Sequence, residues 1–183
     1  MEHYFRTHFR KRLRLKDYDY KNQGYYFITI CVNTRLCLFG QVISGEMFLN
    51  DSGHMIFSVL KSSMLRYPGF QMDIFVVMPN HIHAIIINAG IAPADTVAGP
   101  AQRPAPTCSL PEIIRDFKSF TTYRYLQGIR NENWEPFHNR LWQRSYYERV
   151  IRNDHELQKI REYIINNPRQ WELDRNHPKN SDM

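Results

Sequence analysis

Residues 74–88 read Ile74-Phe75-Val76-Val77-Met78-Pro79-Asn80-His81-Ile82-His83-Ala84-Ile85-Ile86-Ile87-Asn88. Apolar, β-branched residues lead up to a Pro-Asn pair, and a second apolar run follows it. This pattern predicts two strands, over 70–77 and 81–87, joined by a turn at Met78-Pro79-Asn80. Side chains alternate faces along a strand, so His81 and His83 point one way and Ile82 the other. Their Cα atoms then stand ~7 Å apart at a rise of ~3.3 Å per residue, close enough for both imidazoles to reach one metal ion. Taken alone, the pair reads more readily as two histidines at the mouth of a strand, solvated or hydrogen-bonded to backbone.

Working outward, residues 25–32 are dense in aromatic and β-branched side chains and predict another strand. A hairpin follows, 38–43 and 47–49, turning at Ser44-Gly45-Glu46. Asp51 or Ser52 can cap a helix running to about residue 67. Its apolar positions Met55, Ile56, Val59, Leu60 and Met64 recur at helical spacing, and Pro68-Gly69 ends it. Residues 89–108 hold four of the ten prolines and six alanines without periodicity, so an internal loop is expected there. Ser109-Leu110-Pro111-Glu112 has the form of a capping box. It opens a helix to about residue 126 that buries Ile113, Ile114, Phe117 and Phe120 and keeps Arg115, Lys118 and Arg124 on its polar side. Residues 128–140 look irregular, and 141–151 part extended, part turn. A last helix starts at Asn153 or Asp154 and runs to about residue 166, where Pro168 limits it. Strands in hairpin-length connections, alternating with helices, predict an α+β fold with helices packed on an antiparallel sheet.

The 183 residues suffice for one domain with a substantial core, expected to span 1–183. No run approaches the ~20 apolar residues of a membrane span, and the first residues lack the apolar segment of a secretory signal. Cys31, Cys37 and Cys108 are odd in number and form no C-x-x-C pair, which argues against a disulfide framework and a cysteine-held zinc. A reducing, cytoplasmic setting is expected, with no membrane and no obligatory protein partner. The net charge of +6 favours a polyanionic partner. Seven Lys/Arg residues fall within 1–21, among them Arg10, Arg12 and Arg14, interleaved with Tyr4, Phe5, Phe9, Tyr18 and Tyr20. Cations for phosphates and rings for bases make this basic arm a candidate grip on single-stranded nucleic acid.

The last helix carries Tyr163 and Asn167, which share a face at i, i+4. Leu157, Ile160 and Ile164 form its apolar stripe, and Tyr163 borders it. His81-Ile82-His83 after Met78-Pro79-Asn80, then Phe117-Lys118-Ser119-Phe120-Thr121, Trp142-Gln143-Arg144-Ser145-Tyr146-Tyr147 and Tyr163-Ile164-Ile165-Asn166-Asn167-Pro168 occur in that order. In this ordered set, over about residues 20–170, the chain resembles the REP-associated tyrosine transposases. These are single-tyrosine HUH transposases of the insertion-sequence 200 type, and His-x-His is the HUH signature.

The resemblance implies a ferredoxin-like or RRM-like HUH endonuclease fold and a metal-dependent single-stranded DNA endonuclease and strand transferase. Its substrates would be hairpin-forming, REP-like DNA, cut through a covalent 5′-phosphotyrosine. Carried over by position, Tyr163 is the nucleophile, and His81, His83 and Asn167 are the ligands of Mg²⁺ or Mn²⁺. Imidazole ligation leans towards Mn²⁺. Asn166 competes with Asn167 for the third position, and Tyr146 and Tyr147 are rival nucleophiles. Candidate DNA-binding cations are Arg10, Arg12, Arg14, Lys118, Arg144 and Arg149. The expected location is the cytoplasm of a bacterial-type cell, on the nucleoid when DNA is bound. Two other classes stay in view: a non-catalytic single-strand-binding module, and a phosphoesterase using water. The second would want carboxylates near the histidines, and 74–88 has none.

Overall fold

The computed structural model describes residues 23–90 and 108–180. The basic arm at 1–21, with Arg10, Arg12 and Arg14, and most of the expected loop at 89–108 lie outside the described residues.

Four strands form one antiparallel sheet: β1 (Gly24–Cys31), β4 (Phe70–Met78), β5 (His81–Asn88) and β6 (Tyr147–Ile151), in the order β4-β5-β1-β6. Strands β2 (Gly40–Ile43) and β3 (Glu46–Leu49) make a separate hairpin. Helices α1 (Asp51–Ser63), α2 (Leu110–Asn131) and α3 (Asp154–Asn166) complete the framework. The predicted α+β architecture with an antiparallel sheet is thus the one observed.

Residue alternation divides the sheet cleanly. Tyr26, Ile28, Ile30, Ile82, Ala84 and Ile86 turn to one face and pack with Met55, Ile56 and Leu60 of α1 and Ile113, Ile114 and Phe117 of α2. Phe27 and Ile85 turn to the other, where Leu157 and Ile164 of α3 close a smaller cluster with Ile151. His81 and His83 are in phase with Ile85, so period-2 geometry puts them on the α3 face. There β1 pairs His83 with Thr29 and His81 with Cys31.

Local chemistry moved several boundaries. Helix α1 is capped by Asn50, not by Asp51 or Ser52. The Asn50 side-chain oxygen accepts the Gly53 N–H at 2.9 Å, while its amide donates to the Leu38 carbonyl at 3.0 Å. Ser52 is instead turned inward, donating to the same carbonyl at 2.7 Å. Met78 belongs to β4, leaving Pro79-Asn80 as the turn. The capping-box pair forms: the Ser109 N–H donates to the Glu112 carboxylate at 2.8 Å. Phe120, expected in the core, is only half-buried, under the Arg66 guanidinium. Helix α2 runs past residue 126 to Asn131, because Gly128 lets it continue beneath Trp134.

That last contact makes a prediction. A Cβ at Gly128 would lie 2.2 Å from the Trp134 ring, a distance real contacts do not reach. Gly128→Ala gains helix propensity but forces the indole out of place. Overpacking of this kind costs about 1–3 kcal/mol, against a gain of about 1 kcal/mol. A net loss of stability in urea unfolding is expected; a gain would show that the indole moves at no cost.

Candidate active site

Burial is complete at the two histidines, with His81 0% and His83 1% exposed. Their Nε2 atoms lie 3.0 Å apart. Each ring is held from behind: His81 Nδ1 lies 2.9 Å from Asn80 Oδ1, and His83 Nδ1 lies 2.8 Å from the Thr29 hydroxyl. Phe27 stacks on His83 at 5.4 Å between centroids, and Trp171 lies against His81 at 5.9 Å.

Helix α3 delivers the other side. Asn153 caps it, accepting the Glu156 N–H at 2.9 Å, and Leu157 and Ile164 seat it on the sheet. Its polar flank carries Arg161, which reaches Asp73 on β4 through two parallel bonds of 2.8 Å, beside the bulge between Met72 and Ile74. Paired this way, the fork and the apolar stripe set the rotation of α3. Tyr163 then leans over the histidines: its hydroxyl oxygen is 3.2 Å from His83 Nε2, and its ring meets His83 and Phe27 edge-on at 5.1 and 6.1 Å. Asp73→Ala should leave global unfolding little changed and speed amide exchange in α3 roughly tenfold, the scale of a lost charge-assisted hydrogen bond. Unchanged exchange would mean that the apolar stripe alone docks the helix.

Asp174, absent from the expected site, completes it. Helix α3 ends at Asn166, ahead of Pro168 as expected, and a 3₁₀ segment, Pro168–Leu173, then folds the chain back. Trp171 packs under His81, and Asp174 Oδ2 comes to 3.9 Å from His81 Nε2, 4.0 Å from His83 Nε2 and 3.5 Å from the Tyr163 oxygen. Asn167 Nδ2 donates to Asp174 Oδ2 at 3.3 Å, and the Asn176 N–H donates to Oδ1 at 2.6 Å. No periodicity ties residue 174 to residues 81–83; an aspartate 11 residues after the tyrosine was the only available hint. The carboxylate missing from 74–88 therefore arrives from the C-terminal end.

The electrostatics follow from burial. Burial and the charge of the other imidazole push His81 well down, and burial lowers His83, so both rest neutral. Burial acts to raise the Asp174 carboxyl. The His83 imidazole beside it, then the N–H donated by Asn176 and the neighbouring His81 ring, outweigh it and hold the group below its ordinary range. Burial, then the Asp174 charge, pushes the Tyr163 phenol up to about 12. Two imidazole nitrogens and a carboxylate oxygen within 4.8 Å of one another form a donor set able to hold a divalent ion. Beside them the Asn167 side-chain oxygen is buried and accepts no hydrogen bond.

The remaining expected residues are dispersed. Asn166 is half-buried and forms none of these contacts, whereas Asn167 is buried among them. Tyr147 lies edge-on to Phe27 at 6.1 Å, under the Arg175 guanidinium, and Tyr146 lies under Lys118. Lys118 is not simply a polar-face residue: its ammonium donates to the carbonyls of Gln143, Arg144 and Ser145 at 2.9, 3.3 and 3.1 Å, and burial lowers it to about 8. Arg144 is exposed, and Arg149 is exposed and paired with Glu156. The three cysteines are unpaired. Among the described residues no helix is long and apolar enough to cross a membrane.

Known proteins share both the sequence and the architecture. A family model described as "Transposase IS200 like" matches residues 102–167, which include α2, β6 and α3. An uncharacterised protein of Haemophilus influenzae is 37% identical over 173 residues, covering 91% of this chain and 92% of its own. A second protein of that organism, named as a candidate REP-associated tyrosine transposase, is 24% identical over 82% of this chain and 73% of its own. The solved structure of a REP-associated tyrosine transposase bound to a REP hairpin superposes with a TM-score of 0.54 at 19% identity, over 86% of this chain and 74% of that one. That likeness is one of fold.

Proposed function

Because the chain belongs to the IS200-like transposase family, we propose that it cuts and rejoins single-stranded DNA next to a hairpin, using Tyr163 as nucleophile. The observation that carries this reading is the convergence of a tyrosine hydroxyl, two imidazoles and a carboxylate from positions 163, 81, 83 and 174. The hairpin substrate is taken from the solved relative bound to a REP hairpin.

The residues account for the chemistry as follows. Tyr163 Oη attacks the phosphorus of a phosphodiester, the P–O3′ bond breaks, and the 5′ phosphate stays on the tyrosine. The departing O3′ leaves as a hydroxyl after taking a proton. Phosphoester energy is kept in the adduct for rejoining, which is the use of covalent catalysis here. At neutral pH the phenol is protonated, since it is pushed up to about 12. Its proton must leave as the O–P bond forms; the hydroxyl donates to Asp174 Oδ2 at 3.5 Å, a contact that would steer the proton on its way to solvent. Phe27 and Trp171 pack on the imidazoles and keep water from their backs.

His81, His83 and Asp174 would hold a divalent ion, with Asn167 as a further donor through its orphaned oxygen. The mixed nitrogen and oxygen set suits Mn²⁺ at least as well as Mg²⁺. Such an ion, when bound, polarises the scissile phosphate and stabilises charge on the leaving oxygen. An open groove of about 490 Å³, with Lys118 on its wall and the exposed Arg140 and Arg144 and the half-buried Phe137 at its surface, would offer cations and a ring for the strand, together with Arg149 and the basic arm bearing Arg10, Arg12 and Arg14.

The test is a 5′-extended DNA hairpin incubated with the protein and Mn²⁺ or Mg²⁺, then run on a denaturing gel. A cleaved strand with a covalent protein–DNA band supports the proposal. Cleavage without an adduct would point to the water-using phosphoesterase, and retention of the hairpin without cleavage to a binding module.

A further inference from the structure

Asn80 occupies the turn between β4 and β5 and is 1% exposed. Its carboxamide is fully engaged. Nδ2 donates to the backbone carbonyls of Arg35 and Asn176, each at 2.8 Å. A carboxamide nitrogen has two hydrogens, and these two carbonyls take both. The amide cannot be turned over, because its oxygen would then face two carbonyl oxygens. Oδ1 is therefore the atom 2.9 Å from His81 Nδ1, and a carboxamide oxygen only accepts. So His81 Nδ1 carries the hydrogen. A neutral imidazole of that form has its lone pair on Nε2, the nitrogen facing His83 and Asp174.

His83 is held differently. Its Nδ1 meets the Thr29 hydroxyl, which can donate or accept, so Thr29 permits either tautomer. In the metal-free protein His83 Nε2–H can donate to His81 Nε2 across the 3.0 Å gap. Only His83 then has to change tautomer for both lone pairs to face a cation.

The same side chain also ties the segments together. The Asn176 carbonyl it holds lies two residues beyond Asp174, whose carboxylate in turn accepts the Asn176 N–H. The Arg35 carbonyl it holds belongs to a residue at φ 56°, a left-handed conformation unfavourable for a non-glycine residue. We infer that Asn80 is a positioning residue for the metal site: its one amide fixes the tautomer that bares His81 Nε2 and pins the Asp174 segment to the histidine strand. This rests on the metal reading above, and it adds a part of the site outside the donor set itself.

The test compares the wild-type chain with Asn80→Ala. Long-range ¹H–¹⁵N NMR of histidine-labelled, metal-free protein reads the His81 tautomer, and calorimetric titration with Mn²⁺ alone reads affinity. The wild type should show His81 as a single Nδ1–H form. Asn80→Ala should lose that preference and bind Mn²⁺ about 10–100-fold more weakly, the usual effect of losing a group that orients a ligating histidine. A folded Asn80→Ala protein that keeps the single tautomer and the wild-type affinity overturns the inference. Should Asn80→Ala not fold, the wild-type spectrum decides: His81 found in the Nε2–H form, or as a mixture of tautomers, in the metal-free protein overturns the inference. A wild type with the locked tautomer, lost in Asn80→Ala, but without Mn²⁺ binding would instead remove the metal reading and leave the hold on His81 standing.

Discussion

Tyr163→Phe is expected to abolish the covalent protein–DNA band and to lower strand cleavage by on the order of 10³-fold or more, as removal of an attacking group does in other covalent catalysts. The substitution deletes one oxygen. The ring keeps its edge contacts with Phe27 and His83, and Tyr163 is 37% exposed, so little packing is at stake. Stability should stay within about 1 kcal/mol, since the hydroxyl's contacts with His83 and Asp174 are long, at 3.2 and 3.5 Å. Hairpin retention in a native gel should be unchanged. The rival nucleophiles Tyr146 and Tyr147 make the comparison decisive. Tyr147 is separated from the histidines by the Phe27 ring, and the Tyr146 ring is covered by Lys118. An adduct that persists in Tyr163→Phe would transfer the role to one of these two.

His81→Ala should remove cleavage while hairpin binding falls no more than severalfold. The imidazole is fully buried, faces His83 and Asp174, and presents nothing to an incoming strand. Its loss takes away one of three donors and leaves the Asn80 oxygen without its partner. The same two readouts, with a chelator added to the wild-type protein, should reproduce the pattern. Loss of binding and cleavage together, with a large fall in melting temperature, would identify His81 as a structural residue. The packing it supports against Trp171 makes that outcome measurable: a cavity of imidazole size in a collapsed site costs about 2–4 kcal/mol.

Much of this arrangement was legible in the chain because it depends on short-range repetition. Alternation along 81–87 put both histidines on one face, and the face is right because Ile82, Ala84 and Ile86 demand the larger core. The i, i+4 relation of Tyr163 and Asn167 needs only a helix, and the apolar spacing of Leu157, Ile160 and Ile164 supplied one. The ordered motifs linked these segments as members of one family, and the antiparallel α+β architecture followed.

What local pattern could not reach are contacts whose partners are far apart in the chain. Lys118 lies on the polar side of α2 by periodicity, yet three carbonyls of residues 143–145 capture its ammonium. Asn50 displaced Asp51 and Ser52 as cap because the Leu38 carbonyl, 12 residues earlier, fixed its amide. Asp174 shows this most clearly. By itself the sequence determined the strands over 25–32, 70–77 and 81–87, the shared side of His81 and His83, and the helix carrying Tyr163, since each follows from hydrophobic periodicity within a single element. Only the tertiary structure decided that Asp174 joins them, because its position depends on a 3₁₀ turn after Pro168, a tryptophan ring against His81 and an asparagine amide at residue 80, three contacts that no spacing along the chain records.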